Sequence, residues 1–483
     1  MEENGESLLP LMEGACEGLR DAVVVEFGRV NDLAMTQRTL RWGTSNYGYN
    51  CCREDGDLSV DPNKTRNLIA HPDYREVPVR LFNLKDDPRG GGSATYSRRS
   101  GMTWLNLVSF LHGLGVFGSF TILPVYMRDL GGTDFLVSLS MALFYLVRGS
   151  LNFLSGPLSD SSGRRKLITL ALALFSLSHV CYALSRAPTA ILASIALQAT
   201  AAGLYWPVAF ALVSGLSGPG EGPHNIGRFL LALGVGGVAG SWLGGIVADV
   251  YSPKATFWLG AVILAVACGT FASFVPEGRN PGGGRFRLRD VLSVPSEVRL
   301  PSLLAAGASI VWAVFNVGMP LWLRDLGASY SFIGGTRAVA SGANLGVVAS
   351  APFIIGRSGF RTSLSSYLLL CGLTMVGVCA SSDLLASAVL FSAFWGGAGM
   401  EVVGWTSLVE YRSPGGRVGA SMGMLRGLRD MFTLGYLLAF GALTQWVDIR
   451  LAFGFVALVL LGLSVTVWTH LNPQRREVCR SSL

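Results

Sequence analysis

The stretch Leu123-Pro124-Val125-Tyr126-Met127-Arg128-Asp129-Leu130-Gly131 returns 196 residues later as Met319-Pro320-Leu321-Trp322-Leu323-Arg324-Asp325-Leu326-Gly327. The same shift carries Ser162-Gly163 onto Ser358-Gly359, Arg165 onto Arg361 and Ala202-Gly203 onto Ala398-Gly399. An unbroken offset over such a length marks an internal duplication. Each copy is made of apolar runs. A membrane-crossing helix needs about 20 mostly apolar residues. Runs of that kind lie near 102–127, 133–157, 167–186, 189–215, 225–250 and 254–276, and again near 301–323, 331–355, 362–381, 384–409, 418–445 and 451–471. Two six-span repeats with both ends on one side form the pattern of transporters whose halves rock about a midplane site.

Composition agrees. Only 14% of the 483 residues are charged and mean hydropathy is +0.45, where a soluble domain carries about 25% charge. The 61 glycines follow no collagen period and let helix backbones approach closely. Residues 1–100 hold 13 Lys and Arg against 16 Asp and Glu, and the remainder hold 25 against 15. That basic excess sits in short loops and not along one polar face, which argues against nucleic acid as a partner. By the positive-inside rule, an inner amino terminus places eighteen Lys and Arg on the inner side and five on the outer. Both termini are therefore expected in the cytosol.

The expected fold is an all-α membrane protein of twelve transmembrane helices in two pseudo-symmetric six-helix halves. A cytosolic N-terminal tail covers 1–101, the first half 102–276, a cytosolic central loop 277–300, the second half 301–471 and a cytosolic C-terminal tail 472–483. The opening MEENGES is acidic, unlike a signal peptide. Residues 1–101 read as a disordered or weakly folded tail, with a small domain, or sequence upstream of a start at Met102, as alternatives. The sequon Asn63-Lys64-Thr65 then lies on the cytosolic side, where it is not glycosylated. The eight cysteines show no CxxC and no nearby histidine at ligand spacing, so neither a metal nor a cofactor is expected.

The loop after the second span reads Gly156-Pro157-Leu158-Ser159-Asp160-Ser161-Ser162-Gly163-Arg164-Arg165-Lys166. Gly156 and Gly163 permit a tight turn, Asp160 is an acceptor for the positive end of a neighbouring helix, and the basic residues suit an anionic inner surface. This loop resembles the signature of the major facilitator superfamily, in the place where that family carries it, and the resemblance covers residues 102–471. It implies the major facilitator fold. For Gly156, Asp160, Gly163, Arg164 and Arg165 it implies a conformational latch to the other half, formed when the outside is open and broken on switching. The position equivalent to Asp160 is Gly356, so the latch is one-sided. In the fifth span, Gly236, Gly240, Gly244 and Gly245 form a motif similar to that of the family's drug:proton antiporters, with Ser241 in place of its proline. Helix packing explains the same glycines without a transport direction. Those antiporters often carry an arginine three residues before the position of Gln198, and this chain has Ile195 there.

Ionisable groups in a bilayer usually face a cavity or a partner. The interiors of spans three, six, nine and twelve contain no Asp, Glu, Lys or Arg, which marks those spans as lipid-facing. The candidate substrate or proton cavity comprises His112, Arg148, Asn152, Tyr205, Trp206, Asn316, Asn344, Glu401, Arg429 and Asp430, with Arg337 and Arg426 also within spans. Arg148 and Asn344 are equivalent under the repeat. Glu401 is either a proton carrier or the partner of an arginine such as Arg148. Arg426 and Asp430 stand at i,i+4 and are expected to pair on one helix face, leaving Arg429 to another partner. His112 is a titrating group or a hydrogen-bonded neutral one. Tyr205, Trp206, Trp312, Phe315 and Trp322 serve either packing or an amphipathic substrate.

The expected function is secondary active transport of a small solute by alternating access, with proton-coupled export of an amphipathic compound preferred. The alternative is a solute:proton symporter importing a sugar or organic acid, and a more remote one is a membrane sensor without transport. No phosphate loop, paired metal motif or nucleophile–base constellation points to an enzyme. The expected partners are the substrate, protons and the lipid bilayer, for a monomer in the plasma (cell inner) membrane.

Overall fold

The computed structural model describes strands at 22–29, 36–42, 45–51 and 80–83 and, continuously, residues 91–217, 221–276, 296–413 and 418–471; for the strands and for 91–99, 153–162, 223 and 418–420 it describes the backbone alone. The chain divides into two compact units, Met1–Ser97 and Arg98–Leu483. In the first unit Ala22–Arg29, Thr36–Trp42, Ser45–Cys51 and Arg80–Asn83 pair in sequence order as an antiparallel meander. The strands take β-branched and aromatic runs of what the sequence reads as a weakly folded or disordered tail, among them Val23-Val24-Val25 and Tyr47 with Tyr49.

The second unit is all-α. Its first six passages are the helix Gly91–Asp129 from residue 98 onward, Asp134–Ser162, Arg164–Leu184, Pro188–Leu216, Gly222–Val250 and Pro253–Phe274. The seventh runs from Ser296 to Asp325 in four pieces: Ser296–Ala308, Ile310–Ala313, a π-helical turn Val314–Gly318, and Met319–Asp325. The eighth and ninth share the 51-residue element Tyr330–Ala380, which breaks at Gly359. The tenth joins Leu384–Gly397 to Gly399–Arg412, and Val418–Trp446 and Ile449–His470 complete the set. Ten of the described helices are long and apolar enough to cross a membrane. Counting Tyr330–Ala380 twice and adding Val418–Trp446, which carries Arg426, Arg429 and Asp430, gives twelve passages. Of the expected central loop 277–300, residues 277–295 lie outside the described residues, and 296–300 already belong to the seventh passage.

The duplication is visible in the backbone. Gly131 and Gly327 have φ of 90° and 87°, and Gly163 and Gly359 have 86° and 78°. Each pair is 196 residues apart, at turns where a left-handed residue is needed. Third packs on sixth through Ser176 Oγ donating to Ala261 O at 2.8 Å, and ninth on twelfth through Ser464 Oγ donating to Ser365 O at 2.8 Å. These four passages keep exposed faces of large apolar residues, such as Leu177, Val262, Leu373 and Leu458, as a lipid-facing surface requires.

The halves meet fifth against eighth and second against eleventh. At the end that carries Gly131 and Gly327 the contact is reciprocal. Arg128 bonds Asp325, Arg324 Nη2 lies 3.2 Å from Asp129 Oδ2, and Tyr330 Oη donates to the same aspartate oxygen at 2.5 Å. Asp249 accepts from the amides of Tyr330 and Ser331 at 3.0 and 2.7 Å, an anion at the start of the eighth passage. Backbones touch here too: a Cβ on Gly245 would lie 2.4 Å from Tyr330 O, and one on Gly441 2.5 Å from Ser138 Cβ. Gly245 and Gly441 are again 196 apart, and so are Phe135 and Ser331, which flank these contacts.

Gly245→Val should hold the fifth and eighth passages apart and open this end. Spin labels at Val250→Cys and Leu385→Cys, in a chain without its native cysteines, should then report a longer distance than with Gly245 intact; an unchanged distance would deny the contact its sealing role.

Candidate functional site

Between the halves, from the middle of the bundle toward the end carrying Gly163 and Gly359, lies a cavity of about 230 Å³. Its walls are Tyr145, Arg148 and Asn152 of the second passage, Trp206 and Phe210 of the fourth, Trp312 of the seventh, and Arg426, Arg429, Asp430 and Thr433 of the eleventh. Spacings of three, four and seven place each set on one helix face. Both halves contribute.

The charges of the cavity pair across elements, not along them. Arg148 Nη2 lies 2.6 Å from Asp430 Oδ1, joining the two halves, and its guanidinium stands 4.6 Å from the Tyr145 ring centroid. Asp430 therefore bonds across the cavity, and the i,i+4 bond to Arg426 that the sequence suggests is not among its hydrogen bonds, since the second passage presents Arg148 directly opposite. Glu401 pairs with Arg429 and not with Arg148: its Oε2 lies 2.7 Å from Arg429 Nη2 and accepts from Trp312 Nε1 at 3.2 Å. Glu401 is wholly buried, and its Oε1 has no hydrogen-bond partner among the described residues. Arg429 thus links a hidden carboxylate to the cavity wall. Arg426 lies over the Phe210 ring, 5.8 Å from its centroid.

Behind Trp312, the π turn sets Asn316 between two partners, donating from Nδ2 to Trp312 O at 2.9 Å and accepting from Arg337 Nη2 at 2.7 Å. Such a turn inside a helix is frequent at functional sites. Arg337 is buried, also donates to Phe315 O at 3.4 Å and covers the Phe315 ring at 4.6 Å. His112 and Tyr205 belong to a different setting. The His112 ring sits 4.5 Å from Tyr205, 4.7 Å from Phe175 and 6.0 Å from Trp206, inside the first half and behind the cavity wall. Neither of its ring nitrogens has a hydrogen-bond partner among the described residues. Asn344 donates to Trp395 O at 2.7 Å and does not line the cavity, unlike its repeat equivalent Arg148.

Gly156 and Asp160 of the expected latch are described in backbone alone, and the Asp160 side chain lies outside what is described. Gly163 turns the chain into the third passage. Arg164 Nη1 donates to Ala211 O at 2.8 Å and Arg165 donates to Ala272 O, near the carboxyl ends of the fourth and sixth passages, where a cation meets the negative end of a helix. In the fifth passage a Cβ on Gly236, Gly240 or Gly244 would come within 2.1, 2.3 and 2.6 Å of the carbonyl oxygens of Phe110, Leu114 and Gly118. Those three glycines seat the fifth passage on the first, while Gly245 faces the other half. Among the described residues no group of three His, Cys, Asp or Glu side chains is placed to hold a metal.

Sequence reasoning did not single out Tyr145, Phe210 or Thr433, and left Arg426 out of the cavity. A helical-spacing test anchored on Arg148, Trp206 and Asp430 finds Tyr145, Phe210 and Arg426, because each lies three or four residues from its anchor.

A model of the family described as Major Facilitator Superfamily matches residues 105–432. Among curated proteins, the quinolone resistance protein NorA of Staphylococcus aureus is 28% identical over 32% of this chain and 39% of its own length. Human solute carrier family 67 member A1 is 29% identical over 45% of this chain and 55% of its own length. The chain thus spans about two fifths to just over half of the curated relatives it matches. Of solved structures, the nucleoside transporter NupG superposes with a TM-score of 0.63 at 13% identity, covering 76% of this chain and 97% of that one. The human organic anion transporter MFSD10 (TETRAN) superposes with 0.58 at 17% identity, covering 77% and 99%. These are likenesses of fold.

Arg148 and Asp430 line the cavity and join two helices of different halves, so their pairing should register as a coupling of roughly 0.5–3 kcal/mol. Unfolding of Arg148→Met, Asp430→Asn and the double variant, measured in detergent, should show the double variant losing less than the two single losses summed; strict additivity would mean that the bridge does not join the halves energetically.

Proposed function

The chain belongs to the major facilitator superfamily, and we propose that it is a secondary active transporter that carries a small amphipathic solute by alternating access and couples its export to protons. One observation carries this reading: a cavity walled by both halves lies toward one end of the bundle, while the crossed Arg–Asp contacts clamp the other. A site built in that way reaches one side of a membrane at a time. The excess of basic loops at the cavity's end argues that this end faces the cytosol, with both termini there. The site is then loaded from inside, as export requires.

Glu401 and Arg429 supply the coupling. With Glu401 ionised its charge neutralises Arg429, and with Glu401 protonated the guanidinium is offered to the cavity. A proton and a substrate that engages Arg429 therefore influence each other through one side chain, which is linkage between two sites. Export is further supported by the partial likeness to NorA and by the glycine motif of the fifth passage.

The symporter reading keeps one observation in its favour. Ile195, fully buried, stands where the antiporters often carry an arginine, and Gln198 accepts from Tyr182 Oη at 2.7 Å. Proton entry on substrate addition, in place of proton exit, would select it.

In sealed everted vesicles, uptake of a fluorescent amphipathic compound should respond to a protonophore in the unsubstituted chain. Glu401→Gln should abolish that response while substrate exchange without a gradient continues; an undisturbed response would remove Glu401 from the coupling.

A further inference from the structure

The charges around the cavity do not balance. Four guanidiniums, those of Arg148, Arg337, Arg426 and Arg429, stand around Tyr145 and Trp312, against two carboxylates, those of Asp430 and Glu401. Arg148 takes Asp430 and Arg429 takes Glu401. Arg337 is held by an amide oxygen, a carbonyl and a ring face, none of which carries charge. Arg426 rests on the ring face of Phe210, and the charges acting on it are Arg429, Asp430 and Arg148, two of them of its own sign. With Glu401 ionised, the site therefore holds two more guanidiniums than carboxylates among the described residues, Arg337 buried and Arg426 exposed at the cavity wall.

We propose that the cavity is an anion site, taking an amphipathic organic anion, a carboxylate, sulfonate or phosphate on an aromatic body, with Arg426 as the group that holds its charge. The proposal names the substrate class of the transporter described above and rests on that reading only for movement, not for binding. Two features of the wall fit such a ligand. The planar fork of a guanidinium matches the paired oxygens of these groups, and Arg426 lines the cavity with no carboxylate bonded to it among the described residues. The rings of Tyr145, Trp206, Phe210 and Trp312 supply the apolar surface that a flat hydrocarbon body needs. Ring faces alone would also accept a cation. The charge balance decides against it, because a cation would add to an existing positive excess and an anion would relieve it.

The test uses four probes that share one ring system: 1-naphthoate, 1-naphthalenesulfonate and 1-naphthyl phosphate against 1-naphthylmethylammonium. Equilibrium binding to the full chain in detergent reads the site without requiring flux. At least one anion should bind at least tenfold more tightly than the ammonium, Arg426→Gln should weaken that anion tenfold or more, about 1.4 kcal/mol, and Arg426→Lys should weaken it less. Thermal melting of each variant checks its fold, and the comparison of anion with cation on the unsubstituted chain stands even if both variants fail to fold. Equal or tighter binding of the ammonium, binding of none of the anions, or undiminished anion binding by a folded Arg426→Gln overturns the proposal. A chain that binds the anions but moves none across a sealed bilayer supports the site and refutes the transport reading.

Discussion

The constraint on the rest of the architecture is the close approach of the two repeats at one end, where Arg128 of the first copy meets Asp325 of the second and Arg324 of the second meets Asp129 of the first. The exchange is possible only because a duplicated Arg-Asp sequence ends two helices related by a pseudo-two-fold axis. Pairs as exposed as these contribute less than about 1 kcal/mol each, so charge alone does not hold this end together. Close packing of Gly245 on the Tyr330 backbone and of Gly441 on the Ser138 side chain lies beside them, at positions where an added side chain would collide. Weak, screened pairs on top of close but unbonded packing make a contact that is specific in register and still able to part. That combination suits a gate better than a buried ion pair would, since a buried charge left alone costs several kcal/mol.

The same symmetry is broken at the cavity. Arg148 has a cross-half carboxylate, whereas its repeat equivalent Asn344 spends its amide on the backbone of the tenth passage. The carboxylates gather in the second half, where Glu401 and Asp430 each take one arginine, and the π turn at Val314–Gly318 brings Asn316 to Arg337. Duplication thus supplies the frame and the crossed contacts at one end, and divergence between the copies supplies the charged groups of the cavity.

The fold was legible because its determinants are local and repetitive: apolar runs long enough to cross a bilayer, an offset that recurs from Leu123 to Gly399, and glycines at the turns. The breakdown of the seventh passage into four pieces is not legible in the sequence, because the run from Leu303 to Leu323 is apolar apart from Ser309 and Asn316, and neither of these marks a π turn. For the site, a census of intramembrane polar residues names Arg148, Asn152, Arg429 and Asp430, which line the cavity, but not how they pair. Arg426 and Asp430 satisfy the i,i+4 rule, but the rule takes no account of Arg148, 282 residues away in sequence and 2.6 Å away in space. Residue type alone points His112 and Tyr205 toward the cavity, but the His112 ring packs on Phe175, Tyr205 and Trp206 within the first half. Residue type identifies what is costly to bury; only the packing identifies what it is buried against.

Sided chemical labelling of the cavity tests the account most directly. A single cysteine at the wall, Asn152→Cys in a chain without its native cysteines, would be challenged with a membrane-impermeant maleimide from either face of sealed vesicles, at rest and during substrate flux. The account predicts reaction from the cytosolic face alone at rest and reaction from the outer face appearing with flux. Reaction from both faces at rest, or from the outer face alone in every state, would contradict it.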